Sequence, residues 1–596
     1  MKGIPHLPAL DGLRGLAVLG VLFFHANGAL RGGYLGVDLF FVLSGYLITS
    51  ILLAEHRAAG KIALKNFWIR RARRLFPALL SLMPAIALYC WLFAKPDELS
   101  RVRGDALATL GYIANWRSIF SEKSYWELFA TPSPLEHTWS LSIEEQFYVV
   151  WPLVVMVVLR RGSKKTLLLL SVALAIASIV TMLVLFHPAR TSRVYFGTDT
   201  RAVGILAGAA LACLLPPTTT FARASVKKLD VLGVLSAIGL AIAWWTIGGE
   251  SRFLYRGGFW LTELAALVLI ACAVADKESL VARALSFRPL TWVGTISYGL
   301  YLWHWPVNVV LSPQRLHFGG FRLHVIQFAL AFAIAIVSYR FLEKPIRTRG
   351  LPFGRPIYIV PAAVVFAVLL VVRATWARPL PAQQPGQVVD FSLDTNVEDP
   401  STKVLLLGDS TANSLGWILR GARRPGVAVD IKGRDGCTML WDTCLGDQWA
   451  KMTTELHSDI TIVFIGGAFM HGLSTETDWV KACHPEWDAK YQKVLSTHLA
   501  ELVVLPTKVW VATVPYGLNA WDDKDLHREI DCINEDTRKA AAAVPAVRVL
   551  ELADRVCSKQ HCDRDENNRV RPDGVHYDID GAQPVARWIF DQITRP

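Results

Sequence analysis

Apolar runs of about twenty residues recur through the first 375 positions and then stop. At 1.5 Å per helical residue, such a run crosses the ~30 Å hydrocarbon layer of a bilayer. Runs near 11–30, 35–53, 75–94, 141–160, 165–186, 200–215, 231–248, 259–275, 293–311, 322–342 and 356–373 therefore predict eleven membrane helices, 200–215 being short. Beyond residue 400 the pattern changes. Val404-Leu405-Leu406-Leu407 reads as a buried strand and Thr411 to Arg420 as a helix, with further strands expected at 460–465, 508–513 and 547–550. Strands alternating with helices imply an α/β three-layer domain with a parallel sheet. The expected fold class is thus a polytopic α-helical membrane bundle (about 10+1 transmembrane helices) followed by that domain. The boundaries fall at 1–350 for the bundle, 351–376 for an additional transmembrane helix, 377–400 for a linker rich in Pro, Gln and Asp, and 401–596 for the last domain.

Charge assigns sides to these helices. The net +12 divides into +20 for residues 1–375 (38 Lys/Arg, 18 Asp/Glu) and −8 for residues 376–596 (24 and 32). Basic residues crowd the connections 54–74, 160–165, 216–230, 276–292 and 343–356, as positive-inside topology requires. The N-terminus is expected in the cytoplasm and everything after residue 374 outside. A surplus confined between apolar runs excludes nucleic-acid binding. No cleavable signal peptide is expected, since Arg14 and His25 interrupt the first run. Cys90, Cys213 and Cys272 lie in apolar runs; Cys437, Cys444, Cys483, Cys532, Cys557 and Cys562 all lie in the last domain. An even set placed outside suggests disulfides. The expected pairing is 437–444, 483–532 and 557–562, one of fifteen, and zinc is the weaker reading because no CxxC or paired His spacing accompanies the cysteines.

Polar residues stand where lipid should be. In Leu10-Asp11-Gly12-Leu13-Arg14, eleven further residues lead to His25, about 16 Å along one helix face. A single intramembrane Arg or His is more often snorkelling or satisfied in the core, but an aligned Asp/Arg/His stripe points to function. Asp38 opens the second run, Glu144 and Glu145 lie just inside the fourth, Asp199 and Arg201 flank the sixth, and Tyr298, His304 and Trp305 lie in the ninth. Asp199 with Arg201 and Glu343 with Arg347 are read as helix-fastening pairs. Arg70-Arg71-Ala72-Arg73-Arg74 serves either as a topology anchor or as a phosphate site, because guanidinium forks match phosphate oxygens.

LDGLRGLAVLGVLFFH, GYLGVDLFFVLSGYLI, FWIRRARRLFPAL, HTWSLSIEEQFYVVWP, ISYGLYLWHWP and RFLEKPIR together resemble the acyltransferase-3 family of membrane O-acyltransferases, over roughly residues 5–350. The resemblance implies an essential Arg14 and His25, coenzyme A use through Arg71 and Arg74, and a functional acid at Glu144 or Glu145, Glu144 being preferred. Arg201-Ala202-Val203-Gly204 departs from it, since many relatives carry a second acidic residue there.

Gly408-Asp409-Ser410 directly follows the first strand of the last domain, and Asp573-Gly574-Val575-His576 stands near its end. A serine at a strand-to-helix turn is exposed at the sheet edge beside helix-end N–H groups. A hydroxyl nucleophile needs a base within reach and a third group to hold the imidazole, which Asp and His three apart can supply. This order resembles the SGNH hydrolase fold over roughly 400–596. It implies Ser410 as nucleophile, His576 as general base, Asp573 as its orienter and Gly436 as an oxyanion-hole donor. The Asn that usually donates from a GxND block is absent: Gly466-Gly467-Ala468-Phe469 stands there.

The two resemblances together imply a bacterial O-acetyltransferase of the O-antigen and peptidoglycan type. It would sit multi-pass in the cytoplasmic (inner) membrane, with its C-terminal domain periplasmic or extracellular. Acetyl-CoA would be the donor, held by Arg14, Arg71 and Arg74, with His25 as base or acyl carrier and an envelope glycan as acceptor. No metal is called for. Two rivals stand beside it: an esterase that removes acyl groups, and a transporter with an accessory binding domain.

Overall fold

In a computed structural model the chain is described over residues 5–26, 30–94, 96–120, 133–186, 191–217, 223–249, 251–276, 278–312, 316, 321–350, 356–376, 394, 397, 400–434, 437, 439–441, 444, 446–467, 473–474, 479–517, 524–557, 570–571, 574–578 and 581–594. It divides into two compact units, Met1–Pro379 and Leu380–Pro596.

The first unit is helical. Its long helices are α1 (Pro8–Phe24), α2 (Gly36–Ala59), α3 (Leu64–Leu92), α4 (Trp139–Arg161), α5 (Lys164–Leu185), α6 (Thr198–Leu214), α7 (Arg223–Thr246), α8 (Phe259–Ala275), α9 (Arg288–Val310), α10 (Phe321–Val337) and α11 (Pro356–Ala374). Each of the eleven predicted runs falls on one of them. Among the described residues, seven segments are long and apolar enough to cross a membrane by length and composition. On α7 the exposed Val231, Leu235, Ile238, Ile242 and Trp245 recur every three or four residues. Such a stripe, left bare, suits lipid rather than water.

Without a hydrophobic drive between helices in lipid, close packing of small residues has to hold the bundle. Glycines supply them. A Cβ on Gly294 of α9 would lie 1.8 Å from the Asp11 carbonyl oxygen of α1, and one on Gly12 would lie 1.7 Å from that of Leu285. Gly45 of α2 meets the Ile205 carbonyl of α6 in the same way, at 1.8 Å. Two helix pairs therefore cross backbone to backbone, which brings the polar faces of α1, α2 and α9 toward one interior.

The second unit is an α/β sheet domain. Five parallel strands, β1 (Thr402–Gly408), β2 (Val427–Gly433), β3 (Ile460–Phe464), β4 (Lys508–Ala512) and β5 (Arg548–Leu550), pair in the order β2-β1-β3-β4-β5. The expected strands are all present. β2 is not among the expected strands, because Asp430 and Lys432 interrupt its apolar run. It is an edge strand and tolerates them. Disulfides Cys437–Cys444 and Cys483–Cys532 match the expected pairing. Cys557 is also disulfide-bonded, and Cys562 lies outside the described residues.

Candidate active site

Chain order determines where the second unit presents its chemistry. The chain leaves β1 for β2 on one side and returns to β3 on the other, so the C-terminal ends of β1 and β3 flank a topological switch point, where open α/β sheets bind ligands. Ser410 begins α12 (Ser410–Gly421) at that point. Glycine is required at 408: its φ is +142°, and a Cβ there would lie 1.9 Å from the Phe464 carbonyl oxygen. Asp409 caps the helix and is buried. Its carboxylate accepts from the Thr411 amide at 2.8 Å, from the Thr411 hydroxyl, and from the Gly467 amide at 2.7 Å. Burial pushes the Asp409 carboxyl above the ordinary range, while those hydrogen bonds pull it back.

His576 Nε2 stands 2.9 Å from Ser410 Oγ, 166 residues apart in sequence. That is the spacing a base needs to take the hydroxyl proton. The predicted Asp573 and Gly436 lie outside the described residues. The Gly466-Gly467 turn that replaces the Asn block does not offer its amides to a reacting oxyanion. Gly466 N–H donates to Thr411 Oγ1 at 2.9 Å and Gly467 N–H to Asp409. A small recess is lined by Thr411 and Val575, the chain neighbours of Ser410 and His576, with Phe464, Val514, Pro515 and Arg571.

In the first unit Arg14, Arg71, Arg74 and Glu144 all line one cavity, with Ser44, Tyr148, Ser140, Tyr298 and Tyr301. Glu144 is held from two helices: Ser44 Oγ donates to Oε1 at 3.0 Å and the Tyr148 hydroxyl to Oε2 at 3.1 Å. The Arg71 guanidinium lies 5.0 Å over the Tyr148 ring, and Arg14 stands 3.9 Å from Asp11. Glu145 is not among the lining residues. A cavity with three guanidinium groups and one hydrogen-bonded carboxylate suits a polyanion.

His25 does not line that cavity. It caps the C-terminal end of α1, and its Nδ1 lies 3.1 Å from Nε2 of the buried His304 on α9. His137, also buried, has its ring 5.4 Å from that of His304. The sequence marks His25 as the candidate base and places His304 among the polar residues of the ninth run, while His137 lies in a matched motif without an assigned role. Nothing in the spacing said that they converge.

The flanking pairs are corrected. Arg201 is joined to Asp38 at 2.5 Å, not to Asp199, which pairs with Arg193 at 2.6 Å. Glu343 accepts from Ser338 Oγ at 2.9 Å instead of pairing with Arg347. For Arg201 the nearest charge in sequence is not the nearest charge across the helix packing, and for Glu343 a neutral hydroxyl of its own helical segment takes the carboxylate.

These features define a multi-pass membrane protein joined to an α/β unit that presents an aligned serine and histidine. Comparison with known proteins refines the class. Residues 7–342 match the family described as acyltransferase domain, and the chain belongs to that acyltransferase-3 family. Residues 403–592 match a family described as protein of unknown function (DUF459). The chain is similar to peptidoglycan O-acetyltransferase OatA of Listeria monocytogenes, 41% identical over 352 residues, 58% of this chain and 56% of that protein. Putative peptidoglycan O-acetyltransferase YrhL of Bacillus subtilis is 42% identical over 364 residues, covering 59% and 57%. O-acetyltransferase OatA of Staphylococcus aureus is 40% identical over 352 residues, covering 58% of each. The match thus spans little more than half the length of these curated relatives.

Proposed function

We propose that this chain is a membrane O-acetyltransferase that takes acetyl from cytoplasmic acetyl-CoA and delivers it to a hydroxyl of an envelope glycan, peptidoglycan in the first instance. The observation that carries the reading is the Ser410–His576 contact at 2.9 Å, in a chain whose membrane helices also enclose an arginine-lined cavity. Arg14, Arg71 and Arg74 hold the coenzyme's phosphates, with the N-terminus and these arginines on the cytoplasmic side and the α/β unit outside. His25 serves as base or transient acyl carrier within the bundle. His576 takes the Ser410 proton as Oγ attacks the incoming acyl carbon, and returns it to the departing carrier. The Ser410 ester is then attacked by a glycan hydroxyl, whose proton passes to His576 and back to Ser410 Oγ. The Ser410 amide at the start of α12 and that of Gly436 stabilise the oxyanion, and Asp573 orients His576.

The test is mass spectrometry of muropeptides from cells carrying the wild-type chain or Ser410→Ala. Loss of O-acetyl groups in the variant supports transfer. A gain would mean that the α/β unit removes acetyl, and no change would sink both readings in favour of a transporter.

A further inference from the structure

The histidine cluster brings three imidazoles together. Its hydrogen bonds have a direction that follows from carbonyl chemistry. His304 Nδ1 lies 2.6 Å from the Tyr301 carbonyl oxygen. A carbonyl only accepts, so His304 Nδ1 carries a proton and donates it. A second proton on Nε2 would make His304 a buried cation packed between two other imidazoles, with His25 at 5.1 Å and His137 at 5.4 Å between ring centroids. Such a charge inside a helix bundle is costly. Neutral His304 therefore presents a lone pair on Nε2, and His25 Nδ1, 3.1 Å away, must be the donor. His25 is then neutral with its proton on Nδ1, and its basic, nucleophilic nitrogen is Nε2.

We propose that His304 is a positioning residue that selects the Nδ1–H tautomer of His25 and aims its Nε2 lone pair at the acyl group in transit. This inference rests on the reading of His25 as base or acyl carrier. The arrangement follows the logic of a catalytic triad with an imidazole where a carboxylate usually orients the base. An imidazole performs that task without bringing a charge into the bilayer. Tyr301 anchors the line from below. Its carbonyl fixes His304, and its hydroxyl, 2.6 Å from Ser140 Oγ, stands 3.0 Å from the His137 carbonyl oxygen, to which it donates. Tyr301 and Ser140 also line the arginine cavity, so the histidine cluster and the cavity share two side chains.

Two amides separate this role from simple packing. The His304→Asn amide reaches the level of Nδ1 and keeps the Tyr301 contact, but falls short of His25. The His304→Gln amide reaches the level of Nε2 and offers an acceptor to His25 Nδ1–H. Thiol release from acetyl-CoA is measured with the full chain in lipid nanodiscs and soluble peptidoglycan fragments as acceptor. His304→Gln is expected to keep at least about a tenth of wild-type kcat. His304→Asn is expected to lose about 10²–10⁴-fold, the range seen when a base loses its orienting partner, with KM for acetyl-CoA changed by less than about threefold. Thermal unfolding of each variant verifies that the bundle is intact. Equal kcat for the two folded amides, or an effect confined to KM, overturns the tautomer role. His25→Ala is run in parallel. If it turns over at the wild-type rate, the reading of His25 itself fails, a result distinct from failure of His304 alone.

Discussion

Arg201 and Asp38 offer a quantitative test of what holds the bundle. Their side chains are almost wholly buried, and Arg201 Nη2 meets Asp38 Oδ1 at 2.5 Å. The guanidinium also lies 4.0 Å over the Phe259 ring and 5.4 Å over that of Tyr195. Arg201 Nε and Nη1, Asp38 Oδ2 and both Glu263 oxygens make no hydrogen bond among the described residues. The pair is thus worth little as a sum of contacts and much as mutual neutralisation. Removing one partner leaves a buried charge and costs about 3–5 kcal/mol, whereas removing both in favour of apolar groups is often neutral. For the 379 residues of the first unit, an unfolding entropy of about 2.1 cal/mol/K per residue converts that loss to a shift of roughly 4–6 °C. The assay is the reaction of a thiol dye with Cys90, Cys213 and Cys272, buried cysteines of that unit that form no disulfide, as temperature rises. Asp38→Leu and Arg201→Met should each melt roughly 4–6 °C early. The double variant should recover most of that loss, because neither charge is left alone. Singles within about 1 °C of wild type, or a double variant that loses the sum of both, would refute the argument.

Other expectations follow from single contacts. Arg71→Gln and Arg74→Gln should each raise KM for acetyl-CoA about tenfold or more, the value of a charge-assisted hydrogen bond, with a smaller change in kcat; initial-rate kinetics that leave KM unmoved would remove these residues from the donor site. Asp409→Ala strips the Gly467 and Thr411 amides of their acceptor, and should destabilise the α/β unit by about 1–3 kcal/mol while slowing release of acetate from a chromogenic acetyl ester at least about tenfold. Burial, together with the Asp488 carboxylate, pushes Asp536 up to about 6 against a hydrogen bond from Gln492. A raised acid stabilises the fold most below its unfolded value near 3.8, and that stability is lost as pH rises through about 6. Unfolding followed by tryptophan fluorescence should show stability declining between pH 4 and 7, a decline that Asp536→Asn flattens.

Sequence alone determined what local chemistry can determine. Run length and the solvent preference of each side chain identified eleven helices and the switch to α/β pattern, because both are read within one element. Cysteine placement and the strand-to-helix turn at Gly408-Asp409-Ser410 were legible for the same reason: a turn that only glycine can make, followed by a helix cap, is a property of a few neighbouring residues. Tertiary structure decided everything that depends on which elements become neighbours. It joined Ser410 to His576 across 166 residues and gathered Arg14, Arg71, Arg74 and Glu144 from three helices. It also gave Arg201 to Asp38 rather than to Asp199. The convergence of His25, His137 and His304 was hidden because each is a single imidazole on a different segment, and periodicity says which face of a helix a residue occupies but not what faces it. Glycine contacts at Gly12, Gly45 and Gly294 bring the backbones close enough for those faces to meet. A charge or an imidazole takes its meaning from the nearest partner in space, and in a helix bundle that partner is set by packing, which no stretch of sequence contains.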